Sequence, residues 1–399
     1  MKIVCIGGGA ASFFFAANIR KPGAEVLILE QGRQVLGKVR VSGGGRCNVT
    51  HHCFEPAILA QAYPRGGGLL IEPFTQFGPA ETIQWFHERG VRVKAEPDGR
   101  MFPVTDTSET IINCLNAACR KGNVQVRTSA KVNQVTVLPG GGFEVFLASG
   151  ESLNADVLFA GSGSNQHIWQ ILRGLGHTIV PPVPSLFTFR IKDARIAGLA
   201  GITVPNCRIV VPDTSLSSEG PVLITHQGLS GPAVLRLSAF GARIFHERQY
   251  RFEIRIDFNP ALTVDRLRQV RETEGKKLLG NHQVLGLPRR LAQRLVELSE
   301  VDPGRKYGAV SNADLDVLYG TVCRARFAVE GQNTFKEEFV TAGGVDLSQI
   351  DLRTFSSTRI PGLFLAGEVL NIDGITGGFN FQAAWTGAYL AARGWGVES

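Results

Sequence analysis

Lys2-Ile3-Val4-Cys5-Ile6-Gly7-Gly8-Gly9-Ala10-Ala11-Ser12 opens a stretch that closes on Glu25-Val26-Leu27-Ile28-Leu29-Glu30, and its reading decides the fold. The first five residues have the length and branching of a buried strand. A glycine-rich turn follows, then an apolar segment from Phe13 to Ile19 that reads as helix and is broken by Pro22-Gly23. A second strand ends on an acid about twenty residues after the turn. This is the βαβ dinucleotide fingerprint. Gly7 permits the tight turn out of the strand, and Gly9 lets the backbone approach a pyrophosphate seated on the new helix's unpaired N–H groups. Glu30 is placed to accept from ribose hydroxyls. Ser12 stands where the pattern takes Gly or Ala.

Working outward, Gly37-Lys38-Val39-Arg40-Val41 leads into Ser42-Gly43-Gly44-Gly45-Arg46-Cys47-Asn48. Three successive glycines with polar neighbours suit a backbone that lies flat against a ligand. Helices are expected over Ala80–Arg89 and Ser108–Lys121, a strand over Val124–Val137, and strands over Phe143–Ala148 and Val157–Ala160. Gly161-Ser162-Gly163-Ser164 reads as the chain returning to the first nucleotide, because no acid-ended βαβ unit follows it. Pro181-Pro182-Val183-Pro184 reads as a linker. Beyond it come short strands, among them a cleanly alternating one over Tyr250–Phe258, that suggest a small barrel or sandwich. His226, in a loop between these strands, is a candidate acid/base. Residues 263–300 read as basic helices, and strand character returns over Phe335–Val340. Leu363-Phe364-Leu365-Ala366-Gly367-Glu368 is a second strand–Gly–acid unit. It is followed by Asp373-Gly374-Ile375-Thr376-Gly377-Gly378-Phe379-Asn380-Phe381-Gln382 and a helix to about Arg393. That helix N-terminus suits the negative charge a flavin gains on reduction.

The 399 residues allow two or three domains. No apolar run reaches the length of a membrane span, and a fingerprint beginning at the third residue leaves no room for a signal peptide, so a cytoplasmic protein is expected. Seven scattered cysteines without a C-x-x-C argue against a disulfide scaffold or dithiol centre. Cys47, His51, His52 and Cys53 lie close enough in sequence to raise a metal site, but adjacent histidines do not readily face one ion. Between Thr263 and Val310 ten Lys/Arg face six Asp/Glu, within a net charge of +7. That balance is compatible with a phosphate-bearing partner and equally with a solvated surface.

The five glycine-rich segments beginning at Gly7, Ser42, Gly228, Thr341 and Gly374 occur in an order that resembles the BaiN/YhiN-like family of bacterial FAD-dependent oxidoreductases, over essentially the whole chain. The resemblance implies an α/β fold: a glutathione-reductase-like FAD-binding Rossmann domain built from both chain ends (1–184 and 335–399), with an inserted β-barrel (185–262) and a small helical subdomain (263–334). It implies non-covalent FAD, with Gly7, Gly9, Ala10 and Ala11 at the pyrophosphate, Glu30 on the ribose, Glu368 near the ribityl chain and the Val132 backbone on the adenine. Ser42, Gly43, Gly44, Gly45, Arg46, Cys47 and Asn48, with Gly377, Gly378, Phe379, Asn380, Phe381 and Gln382, would surround the isoalloxazine. Gln31, Lys38, Ala160, Gly161 and Gly367 complete the expected contacts. Arg46, Asn48 and Gln382 are the polar groups expected nearest the ring, and which residue acts as acid or base is left open. Three positions depart from the family pattern: Ser12 for Gly, Asn371 for Asp, and Ala160-Gly161-Ser162-Gly163 for Ala-Thr-Gly-Gly.

The expected activity is NAD(P)H-driven reduction of a small molecule through the bound flavin. With no separate NAD(P) domain in the sequence, the nicotinamide is a transient donor at the flavin face. Reduction of a ribosomal RNA uridine is the alternative, with Arg289, Arg290 and Arg294 as phosphate contacts, and a non-catalytic FAD sensor is a third. No membrane and no protein partner is inferred.

Overall fold

The structure, a computed structural model, describes residues 1–279, 281–333 and 340–394. The chain divides into two units, Met1–Val183 with Lys336–Ser399, and Pro184–Phe335. Each has its own hydrophobic core.

In the first unit, β1 (Lys2–Ile6) runs through a glycine turn into α1 (Ala10–Asn18) and on to β2 (Glu25–Leu29). Then come α2 (Gly37–Gly45), β3 (Gln125–Arg127), β4 (Val157–Ala160), β5 (Leu363–Leu365) and α3 (Phe379–Gly394). All five strands pair in parallel in the order β3-β2-β1-β4-β5. Short antiparallel pairings at 350–351 and 356–357 extend the β5 edge. This is the strand order of a mononucleotide-binding half of a doubly wound sheet. Its central strands β1, β4 and β5 are almost wholly buried, as helices on both faces require. α1 is buried nearly all round because it packs under α3: Phe14 lies 5.0 Å from Trp385 and 4.5 Å from Trp85, ring centroid to centroid. Asn18 is one of the buried polar groups in that core. It accepts from Trp85 Nε1 at 2.9 Å and donates to Phe14 O at 2.7 Å.

Several expected boundaries move. The single strand expected over Val124–Val137 is two, Gln125–Arg127 in the parallel sheet and Val132–Val137 in a separate three-stranded meander. The break is made at Ser129, whose φ of 53° turns the chain so that Ser129 N–H and Ala130 N–H bond Gly32 O and Glu30 O, both at 2.8 Å. The division between the two units falls within the expected Pro181–Pro184 linker, between Val183 and Pro184, and the segment is ordered. It lies inside a strand, Ile179–Ser185, paired in a two-stranded sheet with Val340–Val345. Proline fits there because a two-stranded sheet is all edge and needs few N–H donors. Apart from Val340, the strand expected over Phe335–Val340 lies outside the described residues.

The second unit is a seven-stranded antiparallel sheet. Its edge strands, Ala325–Val329 and Gly331–Asn333, are separated in sequence by Glu330 alone, whose N–H bonds Arg190 O at 2.9 Å. The chain therefore crosses from one edge of the sheet to the other at that single residue. The expected helical subdomain over 263–334 is shorter than anticipated: its helices end at Cys323, and 325–333 return to the sheet. Sheet and helices share one core, in which Ile254, Leu267, Leu291 and Leu318 are all fully buried.

Candidate functional site

The carboxyl ends of β1, β4 and β5 bring three glycine turns together. Gly7 has a φ of 96°, and a Cβ there would stand 2.7 Å from Ser162 Cα. A Cβ on Gly161 would overlap Ser12 Oγ. Gly367, with φ of 78°, stands where a Cβ would touch Ala11 and Ala384 at 3.4 and 3.5 Å. Glycine at 7 and 367 is thus set by backbone conformation, and at 161 by close approach. Phe13 N–H is the first in α1 to find an intrahelical acceptor, Gly9 O at 3.2 Å. The N–H groups ahead of it are the ones a helix offers an anion.

Glu30 closes β2 with both carboxylate oxygens engaged. Oε2 accepts from Gly8 N–H and Oε1 from Gly32 N–H, each at 2.7 Å. Each oxygen keeps further acceptor capacity for a ribose hydroxyl. Val132, buried in the meander, follows the Ala130–Glu30 bond and so lies near this end of β2. Glu368 accepts from Thr341 N–H at 3.0 Å and pairs with Lys38 of α2, so a side chain early in the chain reaches the second acid-ended strand.

Two further walls stand beside this crevice. The first is α2, whose helical turn over its first residues runs into the glycine segment expected to lie flat from Ser42, and that segment is non-helical: Ser42 is extended (ψ 147°), and Gly43, Gly44 and Gly45 all have positive φ. A Cβ on Gly43 would press on Phe102 Cε1 at 2.8 Å, whereas at Gly44 or Gly45 it would meet nothing within 4 Å. The segment is packed on one side and open on the other. Arg46 lies 3.9 Å over the Phe102 ring and bonds Glu96 at 2.6 Å, which raises its pKa. Asn48 accepts from Met101 N–H at 3.2 Å. Cys47 is fully buried, and burial pushes its thiol up to about 12, so it is a packing group and not a thiolate.

The second wall is the turn into α3. A Cβ on Gly378 would strike Thr50 O at 2.5 Å. Asn380 clasps Gly374 with both ends of its amide at 2.9 Å, and Tyr63 OH donates to Phe379 O at 2.6 Å. Beneath, Asp373 is wholly buried and paired with Arg65. Phe379 stacks on His51 at 4.6 Å, and Phe381 on Trp385 at 5.6 Å. His51 Nε2 lies 3.2 Å from Asp98 O, and burial lowers its pKa. Gln382, expected beside the ring, is instead in the core. Its amide accepts from Thr50 and Thr82 hydroxyls at 2.6 and 3.0 Å and donates to Thr386 Oγ1 at 3.0 Å.

Cys47, His51, His52 and Cys53 go to different surroundings: Cys47 into the core, His51 against Phe379, His52 edge-on to Phe54, Cys53 beside Glu55. Among the described residues, no group of three or more His, Cys, Asp or Glu could hold a metal. In the second unit His226 is exposed at the tip of a hairpin between 217–225 and 228–230. Arg290 donates to Gly198 O, and Arg294 to Ala194 and Ala197 O, all at 2.9–3.0 Å. Two of the three arginines expected on phosphate are thus engaged with their own backbone. No helix among the described residues is long and apolar enough to cross a membrane.

The residues present fit a dinucleotide: three turns whose glycines carry no side chain meet in the crevice, beside the unpaired N–H groups that open α1. Ser12 Oγ and Ser162 Oγ, on the two turns that close on it, are buried with no partner. Sequence reasoning did not single out these hydroxyls, nor Tyr63, Arg65 and Phe102; only the departures at 12 and 161–163 pointed toward the first two. Fold and site together define a Rossmann-type, dinucleotide-binding flavoprotein. The chain belongs to the family described as HI0933-like protein Rossmann domain, whose model matches residues 1–394, and which comprises the BaiN/YhiN-like FAD-dependent oxidoreductases. It is 28% identical over 400 residues to a ribosomal RNA dihydrouridine synthase of Escherichia coli, covering 98% of this chain and 96% of that one. It is 29% identical over 408 residues to a 3-dehydro-bile acid delta(4,6)-reductase of Clostridium scindens, covering 98% of both. Among solved structures, a 3-ketosteroid-delta4-(5alpha)-dehydrogenase of Rhodococcus jostii matches with a TM-score of 0.52 at 13% identity, over 98% of this chain and 96% of that one. At that identity the likeness is one of fold alone.

Proposed function

We propose that this protein is an FAD-dependent reductase that takes hydride from NAD(P)H and saturates a carbon–carbon double bond conjugated to a carbonyl in a small molecule. The observation that carries the reading is the convergence of Gly7, Gly161 and Gly367 at the strand ends, beside the open face of Gly44-Gly45 and the first turn of α3. Bound FAD supplies hydride transfer between a nicotinamide and a second substrate.

The chain's own residues have five tasks. The first turn of α1 and Gly7–Gly9 bind the diphosphate through backbone N–H groups. Glu30 accepts from the adenosine ribose, and the Lys38–Glu368 pair flanks the ribityl side. Gly44 and Gly45 leave one face of the site free of side chains, so that nicotinamide and then substrate can lie flat there in turn. The Phe379 turn of α3 directs its positive end at charge that builds up on reduction.

The substrate class rests on chemistry that two relatives' names share. Uridine's 5,6 bond and the ring double bonds of a 3-oxo-delta(4,6) steroid are both conjugated to a carbonyl. Hydride adds to the far carbon of the reduced bond, β to the carbonyl in an enone and δ in the outer bond of a dienone, and solvent supplies the proton to its neighbour. A small molecule is preferred to RNA because one terminal nitrogen each of Arg290 and Arg294 is already spent on backbone carbonyls of its own unit, and whether RNA reoxidises the flavin in the test below decides it.

The test is an anaerobic titration of the FAD-loaded protein with NADPH or NADH, followed by a 3-oxo-delta4 steroid or by ribosomal RNA lacking dihydrouridine. Bleaching by NAD(P)H and reoxidation by the enone is the expected result. Reoxidation by RNA alone, with dihydrouridine formed, would replace the small molecule with RNA. Failure to bleach would remove the reductase reading.

A further inference from the structure

Between strand 50–51 and the helix Pro79–His87 the chain makes two short helices, Pro56–Ala60 and Gly67–Gln76. The link between those two helices lies along the turn that enters α3 and fastens it residue by residue. Ile375 N–H bonds Ala62 O at 2.9 Å, and Tyr63 OH donates to Phe379 O at 2.6 Å. Arg65 forms an isolated antiparallel bridge with Asp373. Gly66, with φ of 79°, stands where a Cβ would meet Ile372 Cγ1 at 2.9 Å. A turn with glycine at 374, 377 and 378 has little stiffness of its own and needs such a brace.

Beside these neutral contacts, one pair carries charge. Arg65 Nε donates to Asp373 Oδ1 and Nη2 to Oδ2, with the carboxylate wholly buried and the guanidinium nearly so. Taking two charges out of water costs about as much as their attraction returns. The turn is already fastened by backbone and by Tyr63, so stability does not account for the pair. Its position does. Gly374, next to Asp373, is held at both N–H and C=O by Asn380 in the first turn of α3, each at 2.9 Å. A helix N-terminus is worth roughly half a positive charge. A lone carboxylate one residue from that clasp would outweigh it, and burial would leave its field little screened.

We propose that Arg65 is a positioning residue for flavin reduction: by neutralising Asp373 it keeps the first turn of α3 positive toward the charge that the ring gains. Arg65 acts through Asp373 and not by contact with the ring. The proposal rests on the flavin reading above and adds to it the residue that sets how readily the flavin is reduced.

The test is the reduction potential of bound FAD, measured by equilibration with a reference dye, with thermal unfolding of each cofactor-free variant followed alongside. Asp373→Asn keeps the shape of the side chain, removes its charge and leaves the guanidinium uncompensated. Reduced flavin should then be held about tenfold tighter relative to oxidised, a rise of about 30 mV for the two-electron couple. Arg65→Met should lower the potential by a similar amount, and Arg65→Met combined with Asp373→Asn should return it toward the wild-type value. Arg65→Lys keeps the charge and loses the fork, so the potential should hold whatever happens to the unfolding midpoint. A pair that served only to brace the turn would shift the potential in one direction in every variant, in step with the midpoint. That result would overturn the proposal, and so would an unmoved potential in Asp373→Asn. Should Arg65→Met fail to fold, Asp373→Asn and Arg65→Lys still decide. A wild-type chain that binds no FAD would instead overturn the flavin reading itself.

Discussion

Gln382 joins the two ends of the chain through one amide. It sits in the first turn of α3 and receives the hydroxyls of Thr50 and Thr82 while donating to Thr386. Gln382→Leu would keep the volume and strand both threonines, so we expect a loss of about 2–4 kcal/mol in urea unfolding. The motif that ends on Gln382 could be read in the sequence, but which side of a helix's first turn faces the core could not. His51 offers a second check. Burial lowers its imidazole pKa, as it does that of His177. The unfolded chain therefore takes up protons that the folded chain refuses once pH falls through the ordinary histidine range, near about 6.5. Stability is full above that range and declines below it. His51→Gln should flatten the decline in melting temperature between about pH 7.5 and 5 relative to wild type. An unaltered slope would assign it to His177 and other groups.

At the scale of elements, the turn into α3 depends on contact between Gly378 and strand 50–51. Gly378 has a φ of 90°, and its missing side chain admits Thr50 O. Gly378→Ala meets both obstacles, so we expect about 2–4 kcal/mol lost and FAD binding weakened together, by unfolding and by flavin fluorescence. Gly44→Ala, where only the positive φ opposes it, should cost about 1–2 kcal/mol. The β1–α1–β2 unit was legible because strand, turn, helix and acid are local and each has its own signature. The break at Ser129 was not, because it is dictated by Glu30 and Gly32, about a hundred residues away in sequence. The proline strand over 179–185 was missed for a similar reason: its partner is Val340–Val345. In α2 the three glycines announced a break, but the helix ahead of them had no stronger cue than Lys38 to Val41.

For the whole molecule, two separate cores imply two separable stabilities. Calorimetry should resolve two transitions, with FAD raising only the one that belongs to the Rossmann unit. At one hundred times its Kd the ligand adds about 2.7 kcal/mol there. A single transition shifted as a whole would show that the units unfold cooperatively. The parallel sheet also has a consequence for how the protein is made. β4 ends at Ala160, and its neighbour β5 begins at Leu363. On the ribosome, the β4 edge is ready long before the strand that covers it has been translated. At typical elongation rates that interval is roughly 10–40 s. For that time a nascent chain presents an apolar, unpaired edge. Translation speed across the inserted unit, and chaperones that shield such an edge, should therefore govern the yield of active protein more than the stability of the finished fold.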